Sequence, residues 1–265
     1  MTENSLIDHR FFVNFKKYRF LLVELVKRDI KVKYRRSVLG IFWSFLEPLL
    51  FMIVLTIVFS TLFKGKIANY PVYLLTGRLA YTFFAQGTSG SMFSIYKNAS
   101  IIKKIYMPKY MYTLGVTISS LITFLLSFVV LFLVMIATHA PFTWFILLAV
   151  VPLVLILILT IGAGLILATL TVFFRDIEHL YTVFLTLLMY GSAIMYPANI
   201  IPAKYQFLLT YNPMYASISL FRDCFMYGTW FDPFTLMFAI LTSFGALAIG
   251  IVFFYKFQDK FILYI

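Results

Sequence analysis

Cys224 is the only thiol in the chain, so no disulfide can form within it. Histidine is nearly as scarce. His9, His139 and His179 are far apart and fall on different sides or loops of any membrane reading, without the spacing of a metal site. The ten acids are scattered, with Glu47 alone inside an apolar run and only Asp223 and Asp232 at the outer side. A membrane hydrolase or glycosyl transferase needs a paired acid and base, and these positions supply none beyond that outer pair. The G-x-x-x-x-G-K-[ST] phosphate loop is missing too. Its nearest stretch, Gly87 to Ser91, is not followed by Lys-Ser or Lys-Thr. Catalysis by this chain, ATP binding by that loop and metal binding are therefore not expected. Ion-coupled transport places ionisable groups in mid-membrane, and only Glu47 and Arg78 qualify. From Tyr110 to Phe174 there is no Lys, Arg, Asp or Glu at all.

Hydrophobic residues make up 62% of the chain, far beyond a soluble domain, and the formal net charge is +12. That excess of cations has a pattern. Ten Lys and Arg precede the first apolar run, four lie between Lys97 and Lys109, Arg175 stands in the next link, and Lys256 and Lys260 sit near the C-terminus. Only Lys64, Lys66, Arg78, Lys204 and Arg222 remain for the opposite side. Basic short loops stay cytoplasmic while long apolar runs partition into hydrocarbon. The pattern predicts an all-α integral membrane protein with six transmembrane helices, at about 40–63, 76–96, 110–138, 142–174, 180–196 and 233–255. Both termini are expected in the cytoplasm, without a cleavable signal peptide. Placed beside these runs, the positive charge predicts contact with anionic lipid and a cytosolic partner, not nucleic acid.

Between the fifth and sixth runs, Tyr205 to Phe221 is apolar but interrupted by Asn212 and Pro213. It predicts an extracellular re-entrant hairpin, since a seventh span would move Lys256 and Lys260 outside. Residues 1–36 predict a cytoplasmic N-terminal segment with an interfacial amphipathic helix, and 37–265 the transmembrane domain. In that helix Leu22, Val26 and Ile30 share one face, while Lys27, Arg28, Lys31 and Lys33 lie largely off it, followed by Tyr34 and Arg35. A short cytoplasmic helix is expected where Ile101, Ile102 and Ile105 alternate with Lys103 and Lys104 ahead of Pro108. Arg175, Asp176, Glu178 and His179 form the charged link between the fourth and fifth runs. Arg78 has two open readings, snorkelling at the outer rim of the second span or contact with a lipid-borne phosphate. Among 31 Phe and 18 Tyr, residues Tyr81, Phe84, Tyr190 and Tyr196 are candidates to line a sugar path. The small-residue patches Gly162-Ala163-Gly164 with Ala168, and Ala246 with Gly250, permit close helix contact, within one subunit or between two.

The run from Tyr34 to Leu49, which reads Arg35-Arg36-Ser37-Val38-Leu39-Gly40 and then Trp43-Ser44-Phe45-Leu46-Glu47-Pro48, resembles the start of the first span in ABC type-2 permeases that export polysaccharides or polyol phosphates. Phe173 to Leu180 resembles that family's link between spans four and five. Asn212-Pro213-Met214 with Phe221-Arg222 resembles its re-entrant region. The resemblance runs in order along nearly the whole chain. It implies a homodimer in the bacterial inner or plasma membrane, docked to two copies of a separate ABC ATPase that holds ATP and Mg. It also implies that residues 97–108 and 175–179 are coupling helices and the lead-in a gate helix. The cargo it implies is a lipid-linked polysaccharide of the O-antigen, capsule or teichoic acid kind. A type-2 permease for drugs or small lipids, or a membrane enzyme acting on lipid-linked glycans, are the rival expectations.

Overall fold

The protein is described by a computed structural model covering residues 3–35, 37–62, 67–104 and 107–264, with side chains from Tyr18 onward, that of Leu62 excepted. Ile105, Lys64 and Lys66 lie outside the described residues. Those that are described form helices and turns, with no strand. A long helix α1 (Glu3–Tyr34) leads through a 3₁₀ turn to α2 (Trp43–Leu62). Then come α3 (Tyr70–Met92), two single-turn helices α4 (Ser94–Lys97) and α5 (Ala99–Ile102), and α6 (Tyr110–Ala137). A 3₁₀ stretch, Trp144–Ala149, feeds α7 (Val150–Phe173), followed by α8 (Ile177–Tyr190). After two 3₁₀ turns, α9 (Phe207–Thr210) and α10 (Pro213–Arg222) lead to a π-helical turn at Asp223–Tyr227. The last long helix is α11 (Pro233–Phe257), with a final turn α12 (Phe261–Tyr264).

Four segments are long and apolar enough to cross a membrane: Gly40–Thr61, Tyr110–Ala137, Trp144–Phe173 and Pro233–Tyr264. The expected second and fifth spans behave differently. Helix α3 begins at Tyr70 rather than near residue 76, because the Asn69 side chain accepts from the Val72 amide at 3.3 Å and Pro71 fits the first turn. Most of α3 is buried by other helices, including Gly77, Gly87, Thr88 and Ser91. A helix enclosed by protein has no need of lipid-soluble side chains on every face, so its lower hydropathy follows from its place. Helix α8 ends at Tyr190, short of the expected 196. Beyond it Ala193 takes a left-handed φ of 48°, and the carbonyls freed there are claimed by α3 and α10.

Helix α8 lies antiparallel to α3. The Tyr181 hydroxyl meets that of Thr88, the Tyr81 hydroxyl donates to Leu185 O at 2.8 Å, and Arg78 Nη1 reaches Met189 Sδ at 3.5 Å. Tyr73 then donates to Ala193 O at 3.0 Å and Tyr70 to Met195 O at 2.8 Å. At a rise of 1.5 Å per residue α8 alone covers about 21 Å, so α8 needs the turn after it to match α3.

Hydroxyls join α6 to α3 and α4, Ser91 of α3 with Thr117 at 3.1 Å and Ser94 of α4 with Thr113 at 3.0 Å. Such links between membrane helices contribute roughly 0.6 kcal/mol each. Helices α7 and α11 touch backbone to backbone at Gly162 and Gly250. That settles the small-residue patches as contacts inside one subunit. Two ends of the bundle result. At one, Asn69 Nδ2 donates to Thr138 Oγ1 at 2.8 Å, His139 turns with φ 52°, and Trp144, Phe145 and Trp230 cluster. At the other, Phe173 packs against Phe257, Phe261 and Tyr264.

Asp232 caps α11, accepting from the Thr235 amide and hydroxyl, both at 2.8 Å. These bonds hold its carboxyl below the usual aspartate range. Because the folded state stabilises the ionised form, the contribution is present above the ordinary carboxyl pKa and lost as pH falls through the lowered one. Asp232→Ala is expected to cost about 1 kcal/mol at neutral pH, and less in acid, read from thermal midpoints of the detergent-solubilised protein.

Candidate functional site

The end of the bundle that carries Phe173 gathers most of the residues singled out for coupling and gating. On α1, Leu22, Leu25 and Val26 are buried. Leu22 and Leu25 press against Gly115 of α6, and the Ser119 hydroxyl donates to Val26 O at 3.5 Å. Leu25 escaped the every-fourth-residue reading, although a helix face repeats at three as well as four. Ile30 is only half-buried, while Lys27, Lys31 and Arg35 are exposed and Tyr34 is half-buried. Lys27 pairs with Glu24 at 2.9 Å on the surface, a contact of little energy.

Arg28 is the exception among these cations. Its Nη1 donates to Asn98 Oδ1 at 2.9 Å, while Nε and Nη2 hold Asp29. Asn98 is itself fixed, donating to Ser94 O at 2.7 Å between α4 and α5. One side chain thus ties α1, the expected gate helix, to the expected coupling loop, and no spacing in the sequence pointed to Asn98. Of that loop, Ile102 is buried with Leu22, Leu25, Ile95 and Phe261, whereas Ile101, Lys103 and Lys104 are exposed. Arg175, Asp176, Glu178 and His179 are all exposed, and the Arg175 guanidinium lies 5.3 Å from the Tyr96 ring. The two short links therefore meet. Lys109 locks the C-terminal turn beside them by donating to Gln258 O and sitting over Phe261. Burial lowers the Lys109 ammonium below the ordinary lysine range, with Asp259 acting in the opposite sense.

From this end a cleft with charged and hydroxyl side chains on otherwise apolar walls climbs between α1, α2, α3 and α6. Its lower part, about 570 Å³, is lined by Arg28, Lys33, Lys97, Asn98 and Ser119. Its upper part, about 280 Å³, is lined by Tyr34, Glu47, Arg78, Thr82 and Ser127. Lys33, Gln86, Ser120 and Thr123 line both, and Lys33 Nζ donates to Gln86 Oε1 at 3.3 Å. Arg78 closes the top with its guanidinium 4.0 Å from the Phe51 ring. It sits eight positions beyond Tyr70, about 12 Å along α3. The helix that carries Arg78 therefore starts about two turns ahead of it rather than beside it. The charge is tucked inward, against Phe51 and Met189. Glu47, alone in the sequence, shares its cavity.

The aromatic candidates divide. Tyr81 and Phe84 are buried within the subunit, Tyr81 bonded to α8 and Phe84 in the central core. Tyr190 is exposed at the end of α8, and the Tyr196 hydroxyl donates to Tyr190 O. These four do not converge on one surface. Among the described residues no group of three or more His, Cys, Asp or Glu is placed to hold a metal.

Known proteins resemble the chain along most of its length. An O-antigen export system permease protein RfbA of Klebsiella pneumoniae is 34% identical over 215 residues, 79% of this chain and 81% of that protein. A second RfbA from Klebsiella pneumoniae is 31% identical over 246 residues, 91% of this chain and 93% of its own. The polysialic acid transport protein KpsM of Escherichia coli is 25% identical over 246 residues, 89% and 94% of the two chains. Residues 21–226 match the family described as ABC-2 type transporter, a span that runs from the buried face of α1 to the π-helical turn. The chain is a multi-pass membrane protein and belongs to the ABC-2 type transporter family.

Proposed function

We propose that this chain is the permease subunit of an ATP-driven exporter that moves a lipid-linked polysaccharide, or polyol-phosphate polymer, from the cytoplasmic to the outer face of a bacterial inner or plasma membrane. The cargo follows from the relatives, named for O-antigen and polysialic acid export. The observation that carries the mechanism is the cation-lined cleft between the gate helix and α3. A lipid-linked glycan brings an anionic phosphate headgroup, and Arg28, Lys33, Lys97 and Arg78 offer it a graded series of donors from the cytoplasmic end to mid-membrane. Gln86, Ser120 and Thr123 keep the path polar between them.

The chain binds no cofactor in this reading. ATP and Mg sit on two copies of a separate ABC ATPase, seated on the exposed platform of Ile101, Lys103, Lys104, Arg175, Asp176, Glu178 and His179. Two permeases form the pore, and the exposed apolar stripe of Leu180, Val183, Phe184 and Leu187 on α8 offers a seam for the second copy. Six crossings are supported by α8 and its following turn tracking α3 in antiparallel fashion. The re-entrant reading is supported by the break at Asn212. Its side chain caps α10 at Met214 N, 2.9 Å, and donates to Gly191 O at 2.8 Å, while Tyr211 packs on Phe238 one turn inside α11. A backbone interrupted at that depth needs such protein partners. The positive-inside pattern then leaves both termini cytoplasmic.

Reconstituted with its ATPase, the protein is expected to carry a lipid-linked polysaccharide across proteoliposome membranes only while ATP is hydrolysed. Equal movement without ATP, read by accessibility of the glycan to an external glycosidase, would reject the proposal.

A further inference from the structure

At the opposite end of the bundle a second charge is buried without a counter-ion among the described residues. Arg222, the last residue of α10, is 3% exposed. Its Nη2 alone serves three carbonyls, Ala193 O at 3.0 Å, Ile194 O at 3.3 Å and Tyr73 O at 3.4 Å. The guanidinium also lies 3.4 Å from the Tyr73 ring centroid. Those carbonyl dipoles and the ring offset part of its desolvation. They leave the fork incomplete, since Nε has no partner although it is fully enclosed. No carboxylate among the described residues comes within ion-pair distance of Arg222. A guanidinium with bonds on one nitrogen only has capacity left for a planar oxyanion.

The space beside it suits one. Arg222 lines a cavity of about 530 Å³ together with Tyr73, Asn199, Tyr215, Ser219, Asp223 and Tyr227. Tyr215 and Ser219 stand one turn apart on α10, and among the described residues no hydrogen bond of either side chain competes for their hydroxyls. Downstream, the π-helical turn at Asp223–Tyr227 shifts the helical register and brings Asp223 and Tyr227 to the same wall. Such π-turns recur where a helix is bent to present side chains to a ligand. Aromatic rings, an amide, the hydroxyls of Tyr215, Ser219 and Tyr227, one cation and one carboxylate form a wall that recognises a sugar ring carrying an acidic group. The carboxylate or phosphate meets Arg222, ring hydroxyls donate to Asp223, and the tyrosine rings cover the apolar face.

We propose that this outer cavity is a binding site for an oxyanion borne on a saccharide, centred on Arg222 and completed by Tyr215 and Ser219. The identification of the saccharide rests on the export reading, whereas the oxyanion chemistry stands on Arg222 itself. A phosphate of an outer-leaflet lipid headgroup shares that chemistry, so the test must separate the two sources.

The full chain in nanodiscs of phosphatidylcholine, without ATP or ATPase, is titrated with glucuronate, glucose and inorganic phosphate, followed by saturation-transfer NMR and thermal midpoint. Glucuronate is expected to bind and to raise the midpoint, phosphate to bind more weakly, and glucose to do neither. Tyr215→Phe and Ser219→Ala, which remove no bond seen in the fold, are each expected to weaken glucuronate about fivefold, the equivalent of one hydrogen bond of roughly 1 kcal/mol. Arg222→Gln should abolish it; if that variant does not fold, the two milder ones decide. Absence of glucuronate binding, equal binding of glucose, or unchanged affinity in both mild variants would overturn the site. If nanodiscs containing phosphatidylglycerol suppress glucuronate binding in the wild type alone, the site stands and its occupant is the lipid headgroup. Because no transport is measured, failure here leaves the export reading intact, and failure of export leaves this result intact.

Discussion

Alanine in place of Gly162 is expected to leave little correctly folded protein. A Cβ at that position would lie 2.4 Å from both Ala246 C and Leu247 N, and 2.6 Å from Ala246 O. From the other side, a Cβ on Gly250 would lie 2.5 Å from Gly162 O. All these atoms are backbone, so no side chain can swing away and α7 must separate from α11 along its length. Overpacking by a methyl group in an ordinary core costs about 1–3 kcal/mol because side chains shift. Here the helix axes themselves must move, and the cost should lie at or beyond the upper end. The same substitution at Gly245, one position before Ala246, meets nothing within 4 Å and should be neutral or gain the better helix propensity of alanine. Thermal midpoints and the monodisperse fraction in detergent distinguish the two variants. A wild-type midpoint for Gly162→Ala would overturn the close contact.

Charge reversal of the link after α7, Arg175→Glu with Asp176→Lys, is expected to leave the permease inserted and folded while export per ATP hydrolysed falls about tenfold or more. Both residues are exposed, and the contact of Arg175 inside the subunit is the Tyr96 ring at 5.3 Å. Losing a cation–π contact at an exposed site costs about 0.5–1 kcal/mol, too little to unfold the bundle. A tenfold loss of coupling corresponds to about 1.4 kcal/mol of differential interaction. That is the scale of one or two charge contacts with a docked partner. Tyr96→Leu keeps the charges and removes only the joint between the two links, so its effect on coupling should be smaller. Hydrolysis and glycan export measured together in proteoliposomes separate the cases. Full coupling in the charge-reversed protein would remove this link from the ATPase platform.

Much of the architecture was legible because it depends on composition and period. Three of the four long apolar segments appear within about two residues of where the hydropathy places them, the fourth starts as expected but runs on to Tyr264, and the break at Asn212 and Pro213 is a helix cap followed by a first-turn proline. The charges of both links stand exposed, as solvated residues should. Less was legible wherever a side chain's surroundings come from distant sequence. Arg78 looked close to the first residue of its helix because the start of α3 is set by the Asn69 cap rather than by hydropathy. Tyr81 and Phe84 looked available to a sugar, yet α8 and the core cover them. Asn98 carried no signal at all until α1 folded back and brought Arg28 to it across 70 positions.

Apolar length determined, from the amino acids alone, that this chain crosses a membrane several times, and the uneven placement of cations marked which short links to test for contact with a partner. Those properties follow from transfer of each segment between water and lipid, a local quantity. Only the tertiary structure decided that α3 is sheathed by its neighbours, that α7 and α11 touch through glycine, and that Arg78 and Arg222 each end in a cavity instead of at a surface. Burial of a charge and the approach of two backbones are set by what packs opposite, and no window along the sequence contains both partners.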